Sequence, residues 1–451
     1  MSILIQNATL LTVDPENKII RNGALLVEQD KIIALGDIDT VKSQTAHPEH
    51  TIDARNCFLL PGLVDAHIHT GNTLSRGLIP HDVALADWLG EWMVPFKSVL
   101  DQDDGKTSAQ LVMLEMIQTG TTCFLDSLLY SRHGLEGVVN AVLESGMRAC
   151  IAKFVTDSPR LEMKKGAGEE DTLGQAKSFF KRYNGAGDGK IDIWLEPPHL
   201  GRSQPVFYQD ASALAKELDT GMTIHFMEGP KDREPLQKMG ISPGRFAQKV
   251  GLLGERRVYA HGVWISDEDI DILAEGKVSI AHCPTTNMKV IDGIAPIPRM
   301  IRKNVNVALG CDGFSSNDNV DIFREMRTAP LLHNVVNADP TAISLEDALK
   351  MGTNNGARAL GKANKIGSLE VGKKADLITV EMRRPYTGAE RDPLGHVIYS
   401  CSGSNVRDVI IDGKIIMLNR QILSLNVDEI HQEVEKRAEL VSAKFDARKS
   451  S

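Results

Sequence analysis

The sequence predicts an α/β protein: a (β/α)8 barrel of the TIM type, with a small β-sandwich domain built from both chain ends. Three observations carry this reading. Eight apolar, strand-like runs recur along the middle of the chain, each separated from the next by a helix-compatible segment. Within each run the apolar character is continuous rather than alternating, which marks parallel strands covered by helices. Before residue 58 and after residue 365 the texture changes to short β-like pieces broken by turn residues.

The N-terminal pieces are Leu4 to Leu11, Gly23 to Glu28 and Lys31 to Leu35, punctuated by Pro15, Gly36, Asp37 and Pro48. Asp376 to Glu381 and Val406 to Met417 repeat the pattern near the other end, the latter around the turn Asp412-Gly413. Neither end can bury a sheet face alone, so both belong to one domain.

The eight barrel runs are Phe58 to His67, Thr121 to Leu128, Arg148 to Val155, Lys190 to Leu195, Met222 to Phe226, Arg257 to His261, Lys277 to His282 and Asn306 to Cys311. An open doubly wound sheet is the competing architecture, but its glycine-rich turn after the first strand is missing: Gly62 precedes that strand's polar end. The expected boundaries are 1–58 and 363–422 for the two parts of the β-domain, 59–362 for the barrel and 423–451 for a terminal helix. Apolar spacing in that helix (Ile430, Val434, Ala438, Val441, Phe445) suits docking on the barrel or on a partner subunit.

Composition narrows the function. The 451 residues carry a net charge of −9 with no Lys/Arg block, which disfavours nucleic acid and anionic membranes as partners. No run approaches the roughly 18 apolar residues of a membrane span, and the first residues lack a signal-peptide pattern, so the expectation is a cytoplasmic protein. Six cysteines stand apart without a Cys-x-x-Cys pair, as reduced core residues do.

Chemistry concentrates at the ends of the runs. Alternate residues of a strand share a face, so His67 and His69 point the same way and can grip one ion. A His-x-His pair in a chain of 13 histidines is weak alone. Its position is stronger, because catalytic groups of such barrels come from C-terminal strand ends. Run five ends in His225 with Glu228 three residues on, run six in His261, run seven in His282 and run eight in Asp312. A buried, unpaired Asp312 is costly to ionise and calls for a cation nearby. Imidazoles with one carboxylate suit a divalent metal, Zn²⁺ first, with Fe²⁺ or Mn²⁺ as alternatives.

In these stretches the chain resembles the amidohydrolase superfamily, in its branch of cytosine, guanine and S-adenosylhomocysteine deaminases and triazine hydrolases. The likeness rests on PGLVDAHIHT from Pro61, Asp87-Trp88-Leu89, HFMEG from His225, AHGVWI from Ala260, DGIAPI from Asp292, CDGFSSNDN from Cys311 with EMR after it, and GSLEVGKKADL from Gly367. It implies one divalent metal held by His67, His69, His225 and Asp312, with Glu228 shuttling protons and His261 polarising the attacking water. Asp312 would accept the water's proton. A two-metal relative would carry a lysine after strand four; this chain has Pro197-Pro198-His199.

The resemblance further implies deamination of an amino-substituted purine, pyrimidine, pterin or related ring by metal-activated hydroxide, with release of ammonia. The alternative within the family is a triazine-type chlorohydrolase or an N-alkylamine or amide hydrolase. A non-catalytic scaffold is disfavoured, since no ligand position is lost. His199 sits where nucleoside deaminases place a substrate-contacting histidine, and Trp88 could wall the pocket. Relatives of the S-adenosylhomocysteine type tend to carry Glu where this chain has Lys97, and Arg where it has Lys153. Lysine cannot accept a bond from a sugar hydroxyl. The expected substrate is therefore a free oxo-bearing or anionic ring met by Lys97, Lys153 or Arg160. A homodimer or larger homo-oligomer is expected from the resemblance alone.

Overall fold

The computed structural model describes residues 1–45, 47–129, 134–157, 172–382 and 391–449. Its centre is an eight-stranded parallel sheet whose strands follow one another in chain order: β1 (Leu63–Ile68), β2 (Thr121–Leu129), β3 (Arg148–Phe154), β4 (Ile191–Glu196), β5 (Met222–Phe226), β6 (Arg257–His261), β7 (Ser279–His282) and β8 (Asn306–Leu309). The ring closes at the first and last strands, where Asp312 N donates to His67 O at 2.9 Å and Ile68 bridges Asp312.

Strand alternation sorts the residues into two layers. Val64, Ala66, Cys123, Leu125, Cys150, Ala152, Trp194, Val258, Ala281 and Ala308 fill the barrel interior. Phe124, Ile151, Ile193, Ile224, Tyr259 and Ile280 face outward into the larger core beneath the helices. Two-sided burial is why the runs read as continuous rather than alternating. All six cysteines are buried and unpaired.

The first apolar run proves to belong to two sheets. Cys57–Pro61 pairs antiparallel with Leu377–Glu381, whereas β1 begins after Gly62. At that crossing the backbones are too close for a side chain: a Cβ on Gly62 would lie 2.1 Å from Thr122 Oγ1. Glycine is the residue that permits such an approach.

The two chain ends build one nine-stranded mixed sheet. Ser2–Leu11, Ile19–Glu28 and Lys31–Asp37 come from the front; Leu377–Glu381, Val406–Ile411, Lys414–Leu418 and Gln421–Ile422 come from the back. Ile3, Ile5, Leu25, Leu59, Leu377 and Ile410 share its interior. The stretch Val406 to Met417 forms a hairpin around the expected turn, with Asp412 at φ 54° and Gly413 at φ 72°, the left-handed pair that a two-residue hairpin loop requires.

Helix Val427–Lys449 docks on this chain's own barrel side. Phe445 packs against Trp92 and Phe96, at ring-centroid distances of 6.2 and 6.1 Å, and Arg437 reaches Asp103 at 2.7 Å. It thereby braces the segment 85–99 that lies over the barrel mouth, where Leu85 N donates to Val290 O at 3.0 Å. Among the described residues, no helix is long and apolar enough to cross a membrane.

Candidate active site

The barrel register delivers the polar strand ends to one point. His67 and His69 leave β1 with ring centroids 4.9 Å apart, and His67 lies 4.7 Å from His225 at the end of β5. Asp312 follows β8 and places Oδ1 2.9 Å from His69 Nε2 and 3.4 Å from His67 Nε2. One donor atom each from His67, His225, His261 and Asp312 lies within 4.8 Å of the others. All of these side chains are buried.

Four non-glycine residues at these strand ends adopt the left-handed region: Leu128 (φ 54°), Met227 (φ 50°), His261 (φ 73°) and Asp312 (φ 62°). Such conformations cost energy and persist where the surroundings fix them. Here they swing the chain out of the sheet at the mouth of the barrel.

Hydrogen bonds set the tautomers. His69 Nδ1 lies 3.0 Å from Ser127 O, which can only accept, so Nδ1 carries a proton, and Nε2, 2.9 Å from Asp312 Oδ1, offers its lone pair once a metal ion stands between it and that carboxylate. His225 Nδ1 lies 3.1 Å from Glu196 Oε1, a carboxylate that already accepts from Ser127 Oγ at 2.8 Å. Nε2 of His225 is then also a lone pair, and it faces His69 Nε2 at 3.3 Å. Two lone pairs at that distance repel unless a cation lies between them. His67 adds two ring nitrogens without a hydrogen bond. The donor set therefore fits a divalent metal on geometry and on chemistry.

Electrostatics agree for His225 and His67. Burial, then the neighbouring imidazoles, hold His225 well below its usual range, and burial takes His67 down to about 4. Both are thus neutral, the form that binds metal. Burial lowers His69 too, but the Asp312 carboxylate beside it carries it upward.

Glu228, just past β5, places Oε1 3.7 Å from His261 Nε2. Burial raises its carboxyl, and Asp312 and Asp232 add to that while His261 opposes it. His261 Nδ1 is 2.9 Å from Asn287 Oδ1, so Nε2 is its lone-pair side and faces Glu228. His199 stacks on His225 with centroids 5.1 Å apart and approaches Asp232 at 3.7 Å. Lys97 is half-buried, and its charge reaches the site, opposing protonation of His69. Trp88 is packed with Leu74, Phe96 and Val290 in the apolar wall over the mouth.

Lys153 is a correction. It shares the outward face of β3 with Ala149 and Ile151, and lines a cleft with Lys106, Leu135, Gly174 and Phe179 on the barrel flank. Its Nζ donates to Phe154 O at 2.8 Å. Arg160 falls outside the described residues. His282 ends β7 but turns to His333, 3.0 Å away between Nε2 atoms.

Several functional residues escape the sequence reading. Glu196 and Ser127 hold His225 and His69 from neighbouring strands, and Asn287, in the helix Pro284–Lys289 after β7, holds His261. A lone acid ending the apolar run Ile191 to Glu196 was the available signal. Asp292 is fully buried beside Glu228 and His261, and burial with the surrounding carboxylates pushes it up to about 10.

A family model described as the amidohydrolase family matches residues 58–416. The chain belongs to the amidohydrolase family. This amidohydrolase is 35% identical over 446 residues to a protein of Methanosarcina acetivorans named 5'-deoxyadenosine deaminase, covering 99% of each chain. It is 35% identical over 441 residues to the 5-methylthioadenosine/S-adenosylhomocysteine deaminase of Caldanaerobacter subterraneus subsp. tengcongensis, covering 97% of this chain and 98% of that one. Among solved structures, a zinc-bound adenosine deaminase of Xanthomonas campestris superposes with a TM-score of 0.91 at 26% identity, over 98% of both chains. A zinc complex of atrazine chlorohydrolase from Arthrobacter aurescens superposes at 0.88 with 24% identity, over 97% of this chain and 100% of that one, which shows the shared fold.

Proposed function

We propose that this amidohydrolase hydrolytically deaminates an amino-substituted nitrogen heterocycle of the adenine type, releasing ammonia, with one Zn²⁺ held by His67, His69, His225 and Asp312. The observation that carries the reading is the buried Glu228–His261 pair, 3.7 Å apart, beside that cluster. A divalent cation bound there supplies Lewis acidity, which can bring the pKa of water to about 7.

The chain's own groups do the rest. His261, with its proton fixed on Nδ1 by Asn287, presents Nε2 to orient the attacking water. The Asp312 carboxylate takes the water's proton. Glu228, whose carboxyl burial raises, would give its proton to the ring nitrogen beside the attacked carbon and take back the hydroxyl proton as the carbonyl forms, while the proton held by Asp312 passes to the amino group, which leaves as ammonia. The roof made by Trp88, Phe96 and Leu74 keeps bulk water from the exchange.

The named relatives act on adenosine analogues, which favours the adenine-type ring. Lys97 shifts the remainder of the substrate: its ammonium meets an oxo or anionic substituent and accepts nothing from ribose. His199, stacked on His225, flanks the ring. A cytoplasmic setting and a homodimer or larger assembly belong to the same proposal and rest on the family resemblance.

The test is ammonia release by zinc-loaded protein from a panel of aminated purines, pterins and pyrimidines. Release from at least one ring, abolished by Glu228→Gln, is expected. Silence across the panel, or release of chloride or alkylamine from triazines in its place, overturns the reading.

A further inference from the structure

A second convergence of donors lies beside the first cluster. Asp292, after β7, is fully buried, and neither of its carboxylate oxygens has a hydrogen-bond partner among the described residues. Its backbone is pinned: Asp292 N donates to Asn287 O at 2.9 Å, and Trp264 Nε1 donates to Asp292 O at 2.6 Å. The next residue, Gly293, sits at φ 120°, so the turn that aims the carboxylate needs glycine there.

His261 Nε2 likewise has no hydrogen bond, and its tautomer makes it a lone pair. One donor atom each from Glu228, His261 and Asp292 lies within 4.8 Å of the others, all three residues being buried. Glu228, Asp312 and Asp232, each a carboxylate, crowd Asp292 with negative charge. A buried carboxylate with two idle oxygens, an idle imidazole nitrogen and a second carboxylate form an incomplete coordination shell.

We propose that Glu228, His261 and Asp292 form a second divalent-cation site, for Zn²⁺ or Mn²⁺, that fills only when metal exceeds one equivalent and that inhibits the enzyme when filled. One nitrogen and two carboxylate oxygens match the donor preference of both ions. Weaker affinity follows from repulsion by the ion of the neighbouring cluster. Inhibition follows because an ion on Glu228 and His261 takes the two groups that handle protons. That half rests on the proposed function, whereas binding itself does not.

The experiment is equilibrium dialysis of the holoenzyme, prepared with one equivalent of zinc, against rising Zn²⁺ and separately Mn²⁺, with bound metal counted by atomic emission. Wild type should take up a second equivalent, and Asp292→Asn and Asp292→Ser should keep the first and lose the second. Zinc-edge anomalous diffraction from soaked crystals should show a peak between the three side chains. Saturation at one equivalent, undiminished second uptake in both variants, or a second peak elsewhere overturns the site. A second equivalent that leaves turnover unchanged overturns inhibition alone. Failure to find any deaminated ring would sink the proposed function and leave the stoichiometry standing.

Discussion

His225 Nδ1 lies 3.1 Å from the carboxylate of Glu196, and this contact decides which nitrogen of His225 faces the cluster of His67, His69 and Asp312. Glu196 is itself held by Ser127 Oγ and the Leu128 amide, so the imidazole is oriented by a fixed acceptor rather than by packing alone. Removing such an acceptor typically costs about 10–100-fold in metal affinity. Glu196→Ala should show that loss in competition with a chelating dye. Glu196→Gln, whose amide oxygen still accepts the Nδ1 proton, should retain more of the affinity.

Glu228 is placed to move protons and stands outside the ligand set proposed for the first ion, His67, His69, His225 and Asp312. Glu228→Gln should therefore keep the first equivalent of bound metal while lowering kcat by about 10²–10⁴-fold, the usual contribution of a positioned acid–base group. Steady-state kinetics paired with metal analysis on the same preparation separates the two quantities. Loss of metal together with activity would instead make Glu228 a ligand.

The legible part of this site is the part that barrel topology converts into proximity. His67, His225, His261 and Asp312 each end an apolar run, and in a closed parallel barrel every such end meets the others. What remains hidden depends on register and face. Lys153 also ends a run, yet it lies on the face of Ala149 and Ile151, and one residue of parity sends it outward. Glu196 and Asn287 act through bonds to neighbouring strands, which a linear chain does not display. The run Phe58 to His67 hides a change of sheet because both halves are buried, and only the close approach of Gly62 to Thr122 marks the break.

The charge of Lys97 acts on His69. If it meets an oxo or anionic substituent, it contributes to substrate and transition state alike, and its removal acts on KM. A hydrogen bond to a charged group is worth about 1.5–3 kcal/mol, which corresponds to about 10–100-fold. Lys97→Ala should raise KM by that factor for a substrate bearing such a group, with kcat within about twofold. Lys97→Arg should restore most of it. A fall in kcat at unchanged KM would place Lys97 in the chemical step.

The joint between barrel and terminal sheet predicts an acid limit. Arg148, at the start of β3 and 4% exposed, donates to Asp376 at 2.6 Å and to Asp412 in the hairpin turn. Burial alone would raise the Asp412 carboxyl, but Arg148 and Lys374 outweigh it and bring it below the usual range. A folded-state pKa below the unfolded one means that the stabilisation is complete above the unfolded value, about 4. It is lost as pH falls through the folded value. Thermal midpoints measured between pH 3 and 7 should therefore drop more steeply below about pH 4 in wild type than in Asp412→Asn, which should start lower at neutral pH. Arg148→Ala, which takes the guanidinium from Asp376 and leaves Asp412 with Lys374 alone, should destabilise by about 3–5 kcal/mol at pH 7, and part of that deficit should disappear in acid as Asp412 takes up a proton. A variant whose deficit is the same at every pH would show that Arg148 acts by packing and not by charge.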